Sequence, residues 1–262
     1  MHKGLTKIFN SIQSLRSVAA SKPKVIVILG ATATGKSALA YRLALELDTE
    51  IISADSMLVY KNFDIGTAKP SPEELRRVKH HFVNILEPDQ IFSVADFQAG
   101  ASKIIDDLNR ADRIPIVVGG TGLYIQALIE GYAFNALKPD GRIEKSLVSR
   151  YKRTGELIYD AAVIGLTLDR QELYRRINAR TRAMFDNGLV DEVKGLLESG
   201  VARNAQAMLG IGYKETLEYI DGRSTLEETI EEISRATRHY AKRQSTWFRR
   251  MKYIDWHDAA EE

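Results

Sequence analysis

The chain has 262 residues, and its 37 basic and 35 acidic side chains leave a formal net charge of only +2. This length suits one large domain, or one domain with a small insertion. There is no cysteine, which excludes disulfides, thiolate zinc sites and cysteine nucleophiles. No run of about 18 apolar residues occurs, so we predict neither a transmembrane segment nor a membrane partner.

The first 22 residues are predicted to form a basic N-terminal extension. Apolar residues recur there at helical spacing, at Leu5, Ile8, Ile12 and Leu15. We therefore expect a helix that packs on the surface of the domain. The segment carries no acid, so an organelle transit peptide is the alternative to a cytoplasmic location.

Strands and helices alternate along the rest of the chain. Apolar strands are predicted at 25–30, 50–55, 115–120 and 162–169, and helical patterns at 36–47, 123–130, 170–198 and 225–250. Such alternation indicates an α/β fold, with a parallel sheet and helices on both faces. Residues 131–145 are rich in turn formers and mark the start of an insertion or a linker.

The pattern G-x-x-x-x-G-K-S follows the first strand, from Gly30 to Ser37. Its glycines allow the backbone to wrap around an anion, which the loop amides and the helix N-terminus then bind. Lys36 supplies a positive charge, and the Ser37 hydroxyl is suited to Mg²⁺. The loop thus predicts phosphate binding, but kinases, nucleotide hydrolases and transferases all share it.

Polar residues also follow the other strands. Asp55 ends the second strand, Thr121 follows the third within Gly119–Gly122, and Asp169 ends the fourth. Ligands of such sheets bind at the carboxyl ends of the strands, so one cleft is predicted there. Spacing alone leaves three roles open for Asp55: metal ligand, base or helix cap. For Thr121 it leaves two: helix cap or diphosphate contact.

The C-terminal helix is strongly basic. Between Ile233 and Ile254 there are no acids, and seven bases: Arg235, Arg238, Lys242, Arg243, Arg249, Arg250 and Lys252. Bases near a helix end suit the helix dipole. Seven exceed that need, so a surface for a polyanionic nucleic acid is equally compatible with the pattern.

A set of sequence blocks in order resembles the tRNA dimethylallyltransferases, also called tRNA isopentenyltransferases. The blocks are GATATGKS, DSMLVYKNFDIGTAKPS, HHFVNILEPDQIFSVADF, VVGGTGLYIQALIEG, IGLTLDRQELYRRINARTRAMFDNGLVDEV, GIGYKE and RHYAKRQSTWFR. The resemblance implies a P-loop NTPase-like fold and a monomer. It also implies prenyl transfer from dimethylallyl diphosphate to N6 of the adenosine on the 3′ side of the anticodon, in a tRNA anticodon stem-loop.

The resemblance assigns roles to individual residues. It makes Asp55, Thr121 and Arg176 catalytic, with Asp55 taking a proton from the adenine amine. Diphosphate binding falls to Gly30, Ala31, Thr32, Ala33, Thr34, Gly35, Lys36, Ser37 and Arg180, with Mg²⁺ at Ser37. Arg176 and Arg180 share a helix face, and at least one is expected to clamp the diphosphate. The predicted tRNA contacts are Ser56, Met57, Leu58, Tyr60, Arg238, Lys242, Arg243 and Gln244. Trp247 is expected in the core, and His80-His81 in a structural or cleft role.

Two departures from the family pattern stand out. Leu58 occupies a place where relatives usually carry Gln, which removes a polar group near the adenine. The family's helical insertion is also reduced here to residues 133–159, between core segments 23–132 and 160–262. A shorter insertion implies a weaker or different grip on tRNA. The family's C-terminal zinc finger, which some relatives carry, is excluded by the lack of cysteine.

Three alternatives stay open on the sequence. The first is prenyl transfer to free adenine nucleotides, which the short insertion favours and the basic C-terminal stretch disfavours. The second is a small-molecule kinase, which uses the same loop for phosphoryl transfer. The third is a non-catalytic RNA-binding relative, which would have no use for the phosphate-binding residues.

Overall fold

A computed structural model describes residues 3–17, 21–132, 134 and 156–260. The elements are α1 (Lys3–Ser17), β1 (Lys24–Gly30), α2 (Lys36–Glu46), β2 (Ile51–Ala54), α3 (Pro72–Arg77), β3 (His80–His81), α4 (Val94–Arg110), β4 (Ile116–Gly119), α5 (Gly122–Glu130), β5 (Asp160–Thr167), α6 (Arg170–Asp186), α7 (Leu189–Glu198), α8 (Tyr213–Ile220), α9 (Leu226–Phe248) and β6 (Asp255–Asp258). A 3₁₀ turn spans Gln206–Leu209. Almost all of the predicted insertion lies outside the described residues.

The described strands form one six-stranded sheet in the order β3-β2-β4-β1-β5-β6. Every pair in it is parallel, and Ile28 of β1 lies opposite both Val118 of β4 and Ile164 of β5. The predicted parallel α/β sheet is confirmed. Because all strands run the same way, their carboxyl ends share one edge, where the site is expected.

Alternate residues of β1 pack on opposite faces of the sheet, as the strand period of two requires. Val25, Val27 and Leu29 face α4, α5 and the end of α9, while Ile26 and Ile28 face α1 and α2. On that second face Ile8, Ile12 and Leu15 of α1 are buried. The prediction of an N-terminal helix packed against the domain is therefore confirmed.

Several elements differ from the sequence prediction. The helix predicted over 170–198 is two helices, because Gly188 adopts a left-handed φ of 94° and turns the chain. The edge strands β3 and β6 were not predicted, since they have two and four residues and β6 is mostly exposed. Nor were α3 and α4, although capping boxes at Ser71 and Ser93 mark their starts. Over the described ranges, no helix combines the length and apolarity needed to span a membrane.

Candidate active site

The phosphate-binding loop curls tightly between β1 and α2. Gly35 caps α2 with a left-handed φ of 88°, which strains any residue other than glycine. Inside the loop, Lys36 Nζ donates to the carbonyl of Ala31 at 3.2 Å, and Thr34 Oγ1 donates to the same oxygen at 2.9 Å. These bonds fold the Lys36 ammonium over its own loop, beside the free amides at the start of α2. The geometry is that of an anion cradle.

The charges around the loop also favour anion binding. Burial, and next the nearby Arg180 guanidinium, lower the pKa of Lys36 to about 8, although the Asp55 carboxylate acts against them. Burial also lowers the pKa of Arg180. Two cations are thus held close together in a poorly solvated place. A bound polyanion would offset their repulsion and the loss of solvation.

A pH dependence follows from the Lys36 pKa of about 8. An anion on the loop raises that pKa, so binding takes up a proton when the free protein has lost it. When affinity is expressed for one ionic form of inorganic diphosphate, which itself titrates in this range, it should be constant below about pH 7 and fall roughly tenfold per pH unit well above pH 8. Isothermal titration calorimetry in two buffers of different ionisation enthalpy measures both the affinity and the proton uptake. A flat affinity up to pH 9.5 would contradict the assignment, and Lys36→Arg should abolish the fall.

Two adjoining cavities open at the carboxyl edge of the sheet. The loop cavity, of about 220 Å³, is lined by Lys36 and Ser37 among others. The outer cavity, of about 310 Å³, is lined by Met57, Tyr213 and Arg243 among others. The residues that line both are Thr32, Asp55, Thr67, Arg180 and Tyr240. A ligand on the phosphate loop therefore meets a ligand in the outer cavity beside Asp55.

Asp55 is held rigidly at the tip of β2. Its Oδ1 accepts a hydrogen bond from the Met57 amide at 2.8 Å. Thr121 stands at the N-cap position of α5, but its side chain does not cap that helix. Its Oγ1 instead accepts from the Ser56 amide at 3.3 Å. Thr121 thus ties the chain after Asp55 to the neighbouring strand end, which is a positioning contact.

Arg176 and Arg180 occupy different surroundings on α6. Arg180 NH1 donates to Thr32 Oγ1 at 3.3 Å and NH2 donates to the Thr67 carbonyl at 3.4 Å. Arg176 pairs with Glu172 at 2.7 Å and is half-buried, and it lines neither cavity. Of the two arginines, Arg180 is placed for the clamp, and the structure does not bring Arg176 to the site.

The residues predicted to contact RNA lie in several different parts of the structure. Ser56, Met57 and Arg243 line the outer cavity, and Leu58 lines the loop cavity. Tyr60 is buried in the core, so its predicted contact with RNA does not fit its placement. Arg238 pairs with Glu231 at 2.7 Å and stacks over Tyr174. Lys242 faces a separate groove between α6 and α9.

Gln244 requires a correction. It is buried, and its amide links two strand ends: Oε1 accepts from the Thr32 amide at 2.8 Å, and Nε2 donates to the Gly120 carbonyl at 3.0 Å. A Cβ on Gly120 would lie 2.2 Å from Nε2, so only glycine admits this contact. Gln244 therefore positions the phosphate loop rather than facing RNA.

Replacing this amide should destabilise the protein. Gln244→Met keeps the length of the side chain but leaves the partly buried Thr32 amide and the buried Gly120 carbonyl unpaired. We expect the free energy of unfolding to fall by about 2–6 kcal/mol, from roughly 1–3 kcal/mol for each of the two unsatisfied groups. Urea denaturation measures it, with Gln13→Met on the exposed face of α1 as the matched control. Equal unfolding midpoints for the two variants would contradict the linking role.

The remaining predicted residues have structural surroundings. Trp247 packs against the main core and contacts Gly122, as expected. His81 Nε2 lies 2.6 Å from the Glu50 carboxylate, and His80 lines the loop cavity. Both placements fit the structural or cleft role expected for the pair.

The sequence reasoning missed Lys69, Thr67 and Tyr240. Lys69 is almost fully buried and donates to the Tyr60 carbonyl, to Asp64 and to Asn84, so it fixes the loop that carries Thr67. Burial, and next the Asp55 charge, raise the pKa of Tyr240 to about 12. The available signal for Lys69 and Thr67 was their place in the block DIGTAKPS. For Tyr240 the signal was its place in the block RHYAKRQSTWFR.

The chain is similar in sequence to a known protein family and to proteins within it. The family model "IPP transferase" matches residues 58–157 and 142–251. The chain is similar to tRNA dimethylallyltransferase 2 of Geotalea uraniireducens, with 41% identity over 90% of this chain and 92% of the relative. That alignment extends over 286 positions, more than the 262 residues here, so the relative carries residues that this chain lacks.

Solved structures match as well. The tRNA isopentenylpyrophosphate transferase of Bacillus halodurans superposes with a TM-score of 0.79 at 38% identity, covering 91% of this chain and 90% of its own. The tRNA delta(2)-isopentenylpyrophosphate transferase of Staphylococcus epidermidis gives 0.78 at 36% identity, covering 92% and 95%. The family model, the sequence identity and the fold all match, and this chain belongs to the IPP transferase family.

Proposed function

We propose that this chain transfers a dimethylallyl group from dimethylallyl diphosphate to N6 of the adenosine on the 3′ side of the anticodon in tRNA. One observation carries the proposal: Asp55 lies where the cationic loop cavity meets the outer cavity. A donor held by its diphosphate and an acceptor held by its base would meet there. The names of the relatives support the same reaction.

On the donor side, the reaction breaks the allylic C–O bond. Negative charge then grows on the diphosphate and partial positive charge on the prenyl carbon. The loop amides, Lys36 and Arg180 would stabilise the leaving diphosphate, and they are already oriented before the reaction, which is the condition for electrostatic catalysis. Thr32 holds Arg180 toward the loop at 3.3 Å.

On the acceptor side, the adenosine has to leave its stack to present its amine, as in other enzymes that act on a base. The outer cavity offers apolar and polar walls, from Met57 and Ile211 to Tyr240 and Arg243. The Asp55 carboxylate would accept a hydrogen bond from the amine and take its proton as the N–C bond forms. An exocyclic amine is a weak nucleophile, so a positioned base is needed.

The residues present fit a Mg²⁺ ion. Mg²⁺ prefers oxygen ligands and is commonly held by one or two protein groups together with phosphate oxygens and waters. In the loop cavity the Ser37 hydroxyl is such a group, and the buried Ser53 Oγ, which also lines it, has no hydrogen-bond partner. The described residues contain no cluster of three or more acidic, His or Cys side chains that could hold a metal alone. Ser37 would therefore hold Mg²⁺ together with the diphosphate, whose charge the ion would neutralise.

The proposals on location, oligomeric state, RNA contacts and domain division rest on the same proposed reaction. We propose a cytoplasmic monomer that binds the tRNA anticodon stem-loop, with Ser56, Met57, Leu58 and Arg243 near the flipped base. Lys242 and Arg238 would contact the RNA backbone from α9. We also propose a division of the chain into an extension (1–22), a core (23–132 and 160–262) and a shortened insertion (133–159). The additional residues of the relative would lie in its counterpart of this insertion.

The test is transfer of a labelled prenyl group from dimethylallyl diphosphate, with Mg²⁺, to an anticodon stem-loop carrying the target adenosine. A stem-loop with guanosine at that position is the matched control, and AMP is a parallel acceptor. We expect label on the first RNA alone. Label on AMP alone would assign the chain to the adenine nucleotide prenyltransferases. Phosphoryl transfer from ATP without any prenyl transfer would instead establish the kinase alternative.

A further inference from the structure

A single carboxylate on α7 holds the loop formed by residues 64–67. Glu192 Oε2 accepts hydrogen bonds from the amides of Asp64 at 3.0 Å and Ile65 at 2.7 Å. Its Oε1 accepts from the amide of Gly66 at 3.2 Å and from the Tyr213 hydroxyl at 2.7 Å. Successive amides that converge in this way form an anion-binding nest, and here the chain's own carboxylate fills it.

The hydroxyl of Tyr213 completes the arrangement. Tyr213 is fully buried, and its ring lies against Gly66 so closely that a Cβ there would be 2.5 Å from two ring carbons. Burial, and next the Glu192 charge, raise the pKa of Tyr213, so its hydroxyl stays protonated and donates. The loop is therefore pressed between a ring and a carboxylate.

The 64–67 loop connects this anchor to the active site. Thr67 lines both cavities, and its carbonyl accepts from Arg180 NH2 at 3.4 Å. Gly66 lines the outer cavity, whereas Glu192 lines neither. Glu192 lines neither cavity, so any effect that it has on the reaction passes through the loop or through Tyr213, which lines the outer cavity.

We propose that Glu192 is a positioning residue that shapes the acceptor side of the site by fixing the 64–67 loop. The proposal rests on the proposed prenyl transfer for its kinetic consequences. The wall formed by Gly66 and Thr67 depends on the carboxylate, whereas Arg180 is also held by Thr32 of the phosphate loop at 3.3 Å. The phosphate loop does not depend on the carboxylate, because Lys36, Ser37 and the loop amides make no contact with Glu192.

The test is Glu192→Gln, which keeps the shape but sets an NH₂ group against backbone donors. We expect KM for the stem-loop RNA to rise about tenfold or more and kcat to fall, while the affinity for inorganic diphosphate with Mg²⁺ changes by less than about threefold. Asp191→Asn is the matched control, because it removes a neighbouring, exposed carboxylate in the same helical turn. A purely structural role would lower the active fraction and leave KM for RNA unchanged.

Two further measurements test the positioning role of Glu192. Tyr213→Phe preserves the packed ring, which lines the outer cavity, and removes one bond to Glu192. A smaller rise in KM for RNA together with faster amide exchange at Ile65 and Gly66 is expected in this variant, even if Glu192→Gln fails to fold. Amide hydrogen exchange at Ile65 and Gly66 should speed up at least tenfold in Glu192→Gln, and not in Asp191→Asn, as expected for loss of a local hydrogen bond.

The outcomes separate this proposal from the proposed function. If the wild-type chain transfers no prenyl group, the proposed function fails, and hydrogen exchange alone decides whether Glu192 holds the loop. If transfer occurs but Glu192→Gln and Tyr213→Phe match Asp191→Asn in KM for RNA, the positioning role is overturned. Unchanged exchange at Ile65 and Gly66 would overturn it as well.

Discussion

Asp55→Asn should lower kcat for prenyl transfer by about 10²–10⁴-fold while the protein still binds diphosphate, because a positioned general base contributes roughly that much. The amide keeps the size of the side chain and can still accept the bond from the Met57 amide. It cannot take the proton from the adenine amine. Single-turnover transfer at a saturating concentration of RNA measures the chemical step directly.

The same substitution makes an opposite prediction for the ground state. Asp55 is a negative charge beside the phosphate site, and it raises the pKa of Lys36. Its removal takes a negative charge from the phosphate site but also lowers the pKa of Lys36. The affinity for inorganic diphosphate should therefore be unchanged or stronger at a pH well below that pKa. Asp186→Asn, at an exposed position near the end of α6, is the control. A variant that loses diphosphate binding and turnover together would indicate that Asp55 acts as a metal ligand rather than as a base.

Arg180→Gln is the second large effect that we expect. Arg180 is a partly buried cation that joins the phosphate loop at Thr32 to the 64–67 loop at Thr67. Loss of one preorganised donor to a developing oxyanion costs about 10²–10³-fold in kcat. Affinity for diphosphate should weaken too, because the guanidinium contacts it before and after the bond breaks. Arg180→Lys should recover only part of the loss, since an ammonium lacks the planar fork.

Arg176→Gln is the matched control for that experiment. It changes the same residue type one turn away, where the side chain is bound to Glu172, and such surface pairs are worth about 0–1 kcal/mol. Its activity should stay within about threefold of wild type. Arg180→Gln should also move the alkaline loss of diphosphate binding to higher pH, because Arg180 lowers the pKa of Lys36. Equal losses in the two arginine variants would restore Arg176 to the catalytic set.

Local patterns were sufficient for the parts of this fold that depend on neighbours in sequence. The apolar runs that became β1, β2, β4 and β5, and the helical patterns that became α2, α5, α6, α7 and α9, express side-chain periodicity. The phosphate loop is likewise local, because its glycines and the following helix lie within eight residues, Gly30 to Ser37. The two edge strands were out of reach, since two to four residues carry too little pattern to separate a strand from a turn.

What the sequence determined by itself was therefore the α/β class, the phosphate loop, the position of Asp55 at a strand end and, through the family blocks, the reaction. Only the tertiary structure decided which arginine enters the cleft, that Gln244 spans Thr32 and Gly120, and that Glu192 holds the 64–67 loop. Helical spacing places Arg176 and Arg180 on one face but does not say how far along it the cleft extends. Gln244 lies 212 residues from Thr32, and Glu192 lies 127 from Ile65. Contacts at such separations depend on how helices pack across the sheet, which no local pattern encodes.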